Sequence, residues 1–244
     1  MSHRPAAWHA ATVRAVTSET ASARRIEFDV PTWPGNDAGA HVDVRLTAPD
    51  GYQASRSYSI ASSGSATRVV LAVDEVPNGE VSPFLVHELQ PGDQVELHGP
   101  LGSYFVWTPG EGDRPVQLIA GGSGVVPVYA MAELHDREQD ATHFRLLYSV
   151  RTPDDRFFAS ELEQLAERGR LEVSYVYTRA VPAGWPTAPG RITQDALAAA
   201  TWAVEQRPRI YVCGPTAFVE TVADWLTALG HEPRAIRTER FGGG

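Results

Sequence analysis

The pattern of apolar and polar positions divides the chain into two halves with different rhythms. In the first hundred residues it forms short β-like runs at 11–16, 24–30, 41–46, 56–60, 68–73 and 94–97. Turn-formers separate them, at Pro31, Pro34-Gly35, Pro49-Asp50-Gly51, Ser62-Ser63-Gly64 and Pro91-Gly92-Asp93. Short strands at regular spacing predict a small antiparallel β-barrel. Only 82–89 reads as helical in this half. After about residue 115 the pattern becomes strand then helix, repeatedly. Val116 to Ala120 is a continuous apolar run, suited to a strand buried on both faces. A helix is predicted over 125–137, a strand over 144–149, a helix over 158–168 and a strand over 171–178. A short helix at 193–200, a strand at 210–213, a helix at 217–229 and a strand at 235–238 complete the series. Such alternation predicts a doubly wound parallel α/β sheet. The loop Pro109-Gly110-Glu111-Gly112-Asp113 is the expected boundary, giving domains 1–110 and 111–244. There is no internal repeat or low-complexity tract, and Gly242-Gly243-Gly244 are expected to fray.

Composition narrows the chemistry. The 244 residues carry a formal charge of -9, which argues against nucleic acid as a partner. Any anionic ligand would need local arginine clusters. A single cysteine, Cys213, excludes an internal disulfide, a cysteine-built zinc site and a chain-held iron–sulfur cluster. The eight histidines show no paired metal-ligand spacing, so no metal is expected. The stretch from Met1 to Val16 has no apolar signal core. Residues 115–132 lack charge, but Gly121, Gly122, Gly124 and Pro127 interrupt them. They read as a buried strand and loop, without membrane insertion. A cytoplasmic monomer is expected.

Five stretches carry candidate chemistry. In Arg56-Ser57-Tyr58-Ser59-Ile60, read as a strand, Arg56, Tyr58 and Ile60 share one face and Ser57 and Ser59 the other. An arginine can fork onto a phosphate, a tyrosine ring can lie on a flat heterocycle, and a hydroxyl can bond a ring nitrogen. A plain barrel strand explains the same residues. In Gly79-Glu80-Val81-Ser82-Pro83, Ser82 reads as an N-cap and Pro83 as a first helical residue. Such a helix start favours an anion at Val81 and Ser82, although a simple capped helix accounts for it equally. Gly99-Pro100-Leu101-Gly102 reads as a structural turn. In Gly121-Gly122-Ser123-Gly124-Val125-Val126-Pro127, glycines after a strand let the backbone turn and approach a phosphate. Val212-Cys213-Gly214-Pro215 ends a strand where parallel sheets bind ligands, but a lone cysteine is also an ordinary small hydrophobe.

Taken in order, these motifs resemble those of the ferredoxin–NADP reductase superfamily, from about Trp8 to Gly242. RSYSI is similar to its R-x-Y-S flavin motif, and Gly121 to Pro127 to its G-G-x-G-x-x-P signature. The closing Glu239-Arg240-Phe241 resembles its terminal E-x-aromatic, with Phe in place of the plant-type Tyr. The resemblance implies an FAD-binding barrel followed by an NAD(P)-binding domain. On it, Arg56 and Ser82 hold the FAD pyrophosphate, with Gly79 and Val81 in the same motif. Tyr58 stacks on the isoalloxazine, and Ser57 and Ser59 lie beside it. Ser59 bonds its central nitrogen, and Val73 and Asp74 run along its edge. Gly122, Ser123, Gly124 and Pro127 belong to the nucleotide loop. Cys213, Gly214, Pro215 and Glu239 shape the nicotinamide pocket, with Cys213 positioning and not reacting. Phe241 covers the flavin face that nicotinamide uses.

The second strand of the α/β half ends in Tyr148-Ser149-Val150-Arg151, with an arginine where an NAD site wants a carboxylate. The third ends Tyr177-Thr178-Arg179, like the family's pair for the 2′-phosphate, and Arg191 adds a third positive charge. NADP(H) is therefore expected beside FAD. The implied activity is hydride transfer from NADPH, or from NADH, to FAD. Electrons then pass onward to a separate acceptor such as a ferredoxin, a flavodoxin, an oxygenase component or another metalloenzyme. The alternatives are a non-catalytic flavin-binding relay subunit and a free-flavin or ferric-chelate reductase.

Overall fold

A computed structural model describes residues 6–242. The first five residues of the N-terminal stretch, and Gly243 and Gly244 of the expected fraying end, lie outside the described residues. The chain divides after Trp107 into two compact units.

The first unit is a curled antiparallel sheet of six strands: β1 (Ala7–Ser18), β2 (Ala23–Asp29), β3 (His41–Thr47), β4 (Gln53–Ser59), β5 (Arg68–Asp74) and β6 (Gln94–Leu101). Their order is β4-β3-β6-β1-β2-β5. The outer strands β4 and β5 meet through the bridge Ile60–Leu71, and the Ala61 N–H reaches the Val70 carbonyl at 2.8 Å. Alternate residues point inward: Ile26 and Phe28, Val42 and Val44, Leu71 and Val73, Val95 and Leu97. Each buried side chain of this kind stabilises by about 1.5–3 kcal/mol before entropy is counted. The short helix α1 (Ser82–His87) adds Leu85 and Val86 to this core.

Two local expectations are corrected here. Gly99 and Pro100 do not form a turn but continue β6 to Leu101, and the chain turns at Gly102, whose φ is +85°. The reason is packing: a Cβ on Gly99 would lie 2.9 Å from Val42 Cγ1 and 3.2 Å from Trp33, so the strand passes close to the core. Ser82 is the first residue of α1 and not its cap, which is Val81. Its hydroxyl accepts the Val76 N–H at 2.9 Å and so is not available to cap the helix.

The second unit is a parallel sheet in the order β11-β10-β7-β8-β9. Its elements are β7 (Val116–Gly121), α2 (Val125–Arg137), β8 (Phe144–Val150), α3 (Ala159–Glu167), β9 (Glu172–Tyr177), α4 (Gln194–Ala200), β10 (Arg209–Pro215), α5 (Thr216–Ala228) and β11 (Ile236–Phe241). Every residue of β7 is buried, as a central parallel strand requires. From β7 the chain winds outward to β8 and β9, then returns to β10 on the other side. The switch point, where such sheets leave a crevice at their carboxyl ends, therefore lies between β7 and β10. No helix among the described residues is long and apolar enough to cross a membrane.

Candidate functional site

On β4, Arg56 pairs in register with Val44 of β3, and Tyr58 with Val42. They share a face, with Tyr58 half-buried and Arg56 exposed. Burial pushes the Tyr58 phenol up to about 12, an effect the nearby Arg56 charge partly opposes. It therefore stays a neutral donor at physiological pH. Arg56 already has partners. One guanidinium nitrogen donates to Glu80 Oε2 and the other to the Ser55 carbonyl, each at 2.7 Å. Glu80 Oε1 in turn accepts the Tyr52 hydroxyl at 2.7 Å. These bonds, Tyr52's first and Arg56's second, hold the Glu80 carboxyl below its usual range. Next to this cluster is a groove of about 520 Å³ lined by Tyr52, Ala54, Glu80, Phe84, Leu46 and Pro49 among others.

The other expected residues on this unit are placed as follows. Ser57 faces the opposite side of β4, and its hydroxyl donates to Asp43. Ser59, half-buried, ends the strand opposite His41. Val73 is buried, and Asp74 accepts the Ser22 hydroxyl at 2.8 Å. A Cβ on Gly79 would lie 2.9 Å from the Val76 carbonyl oxygen and 3.2 Å from Ser82 Oγ, so only glycine fits this turn. Val81 and Ser82 are buried, and with the Ser82 hydroxyl engaged, what this turn can offer an anion is backbone.

At the switch point, β7 ends at Gly121 and a single 3-10 turn, Gly122–Gly124, leads into α2. The glycines have different jobs. Gly122 has φ +55°, and a Cβ built there would meet nothing within 4 Å, so the loop is open above it. Gly124 is the reverse: its Cβ would fall 2.3 Å from the Cys213 carbonyl oxygen and 2.7 Å from the Gly214 nitrogen. Gly121 and Gly214 are both closed by the Phe218 ring, whose Cδ1 would lie 2.9 Å from a Cβ on either. Ser123 is partly exposed, while Pro127 is buried within α2 and serves that helix.

Gly214 and Pro215 continue β10, paired with Arg240 and Phe241 of β11. Cys213 lies between Ala120 and Glu239. Burial first, then the Glu239 carboxylate, pushes its thiol well up, so it is no thiolate nucleophile. Burial also raises Glu239, to about 7. Phe241 is partly exposed at the strand end.

Backbone bonds bring the arginine loops side by side. The Thr178 N–H donates to Val150, the Arg179 N–H to Arg151, and the Gly190 N–H to Tyr177, each at 2.9 Å. Arg151, Arg179 and Arg191 are all exposed at this edge. Asp155, in the turn after Arg151, accepts the Thr152 hydroxyl at 2.7 Å.

Sequence reasoning missed Tyr52, Glu80 and Phe218. Glu80 stands inside the quoted Gly79–Pro83 motif, and its charge beside a presumed phosphate grip was the available signal. Phe218 gave none. The donors suit two anionic nucleotides: an arginine and a helix start on one unit, an open glycine loop at a sheet switch point on the other.

Comparison with known proteins agrees with that chemistry. Residues 10–106 match the oxidoreductase FAD-binding domain and residues 118–224 the oxidoreductase NAD-binding domain. The chain is 33% identical over 210 residues to the toluate 1,2-dioxygenase electron transfer component of Pseudomonas putida, covering 83% of this chain and 58% of that protein. It is 31% identical over 198 residues to NADH-cytochrome b5 reductase 1 of Lodderomyces elongisporus, covering 80% and 64%. The chain thus spans less than two thirds of these relatives. Among solved structures, the cytochrome P450 reductase of Amycolatopsis superposes with a TM-score of 0.83 at 26% identity, covering 98% of this chain and 71% of that one.

Proposed function

The chain belongs to the ferredoxin–NADP reductase superfamily, and on that premise we propose that it is a reductase drawing on NADPH and passing electrons to a separate acceptor. The observation that carries the proposal is the switch point. The open loop at Gly122 lies in a turn packed directly on Cys213 and Gly214, as a nucleotide lying across β7 and β10 requires.

When bound, FAD supplies the hydride-accepting and electron-releasing chemistry that no side chain can. The chain's own residues bind and orient. Arg56 and the backbone at Val81 and Ser82 hold the flavin phosphates, and Gly79 keeps that turn tight. Tyr58 would offer its ring to the flavin, Ser59 a hydroxyl for a hydrogen bond, and Val73 and Asp74 would belong to the same site. Ser57 acts through Asp43 to fix β4. On the second unit, Gly122, Ser123 and Gly124 receive the nicotinamide nucleotide's phosphates. Cys213, kept protonated, would help hold the nicotinamide together with Gly214 and Pro215. Glu239, titrating near 7, can hold or release a proton beside Cys213. Phe241 ends β11 beside Pro215 of β10.

NADPH is favoured by Arg151, Thr178, Arg179 and Arg191 at one edge, and by Asp155 being turned onto Thr152. The NADH reading has one observation for it, the exposed Asp154 in the same turn. An oxygenase component or another oxidised metalloprotein is the proposed acceptor, since the relatives include a dioxygenase electron transfer component. A cytoplasmic location belongs to the same proposal, because cells keep their pyridine nucleotides inside.

Anaerobic titration of the FAD-loaded protein tests this. NADPH should bleach the flavin absorbance fast and NADH much more slowly. Bleaching by neither would shift the reading to a relay subunit.

A further inference from the structure

We propose that Glu80 sets how tightly the flavin phosphate is held, by competing with it for Arg56. The inference rests on reading the Arg56 face of β4 as the flavin phosphate site.

The geometry is specific. A guanidinium binds a phosphate well only when two of its donors point at it together. In this chain one of the two terminal nitrogens is turned onto Glu80 and the other onto the Ser55 carbonyl, both at 2.7 Å. Glu80 is itself held from its far side by the Tyr52 hydroxyl. The carboxylate is thus hydrogen-bonded from both sides, toward Arg56 and toward Tyr52. It belongs to the turn that leads into α1, two residues before Ser82. A phosphate arriving between Arg56 and α1 meets this carboxylate first. It must displace Glu80 from the guanidinium, and it remains near a like charge once it has done so.

Both side chains of the pair are about half exposed, Arg56 at 55% and Glu80 at 48%. Water can take over each partner's bonds, so the exchange needs no unfolding. The same exposure limits the size of the effect. The competition acts on the phosphate alone. Riboflavin, which has the ring system but no phosphate, does not contend with Glu80.

The full-length chain, freed of flavin, is titrated with FAD and with riboflavin, following quenching of flavin fluorescence. Glu80→Gln keeps the size, leaves one acceptor oxygen and removes the charge. It is expected to tighten FAD roughly five- to tenfold at low ionic strength. Riboflavin affinity should not change, and the FAD gain should shrink at about 0.5 M salt, where exposed charges are screened. Unchanged or weaker FAD binding by Glu80→Gln, with wild type binding FAD normally, overturns the competition and leaves the flavin reading standing. An equal gain for riboflavin also overturns it, since the effect would not be on the phosphate. Failure of wild type and variant alike to bind either flavin overturns the reading of the face and the competition together.

Discussion

The two candidate anion sites are built from opposite materials. On β4 the grip is a charged side chain on a half-solvated strand, held by partners it can exchange. Between β7 and α2 it is backbone, in a loop where Gly122 stands open and Gly124 has no room for a side chain. Arg56 is not part of the apolar cluster of the first unit: it lies on the same face as Tyr58 and Val44, but its side chain is exposed. Gly124, by contrast, is pressed against the Cys213–Gly214 backbone, and Phe218 closes on Gly121 and Gly214 from the α5 side. The first site can lose its chemistry and keep its fold. The second has its chemistry and its fold in the same atoms.

Gly124→Ala should break the second site most severely. A Cβ at 2.3 Å from a backbone oxygen cannot be relieved by rotating a side chain, so β10 or the loop must move. Overpacking of this kind costs about 3 kcal/mol or more. Calorimetry should show a lowered melting transition, and NADPH should no longer bleach the flavin although FAD is still bound. A variant that melts and bleaches like wild type would show that the loop has room.

What could be read from the sequence follows the same division. The strands and the change to β–α alternation were legible because inward residues repeat at fixed spacing within each element. Arg56 and Tyr58 were legible as a shared face for that reason. Features set by distant contacts were not. Glu80 meets Tyr52 across 28 residues, and Gly99 is drawn into β6 by Val42 and Trp33. The Ser82 cap failed because its hydroxyl had a better use on Val76. The Gly121–Pro127 motif was visible, but not the division of labour within it. Gly122 is open to solvent, Gly124 is closed by Cys213, and Pro127 is simply buried in α2.

Glu239 sharpens the comparison because it is a titratable group set into the backbone-built site. Its folded value of about 7 lies above the ordinary 4.5, so the folded chain holds the proton more tightly than the unfolded chain. The stability it contributes is full below about pH 4.5 and is lost as pH rises towards 7. Between about pH 5 and pH 8 the loss should reach roughly 2.5 kcal/mol. Glu239→Gln cannot titrate and should lack that slope. Denaturant midpoints for both proteins at the two pH values check it, and equal slopes would mean that Glu239 ionises as an exposed carboxylate does.

Arg56→Ala is the smallest change and the cleanest test of the side-chain site. A charge-assisted bond to phosphate is strong, but Glu80 already offsets this arginine, so the expected loss of FAD affinity is only about tenfold. The melting transition should stay where it is, since Arg56 is exposed and outside the core. Removing Arg56 also leaves Glu80 facing the phosphate with no cation beside it. Part of the loss should therefore return in the double variant Arg56→Ala with Glu80→Gln. Full flavin occupancy in Arg56→Ala would mean that the barrel holds its phosphate with backbone, as proposed for the second unit, and the contrast between the two sites would be gone.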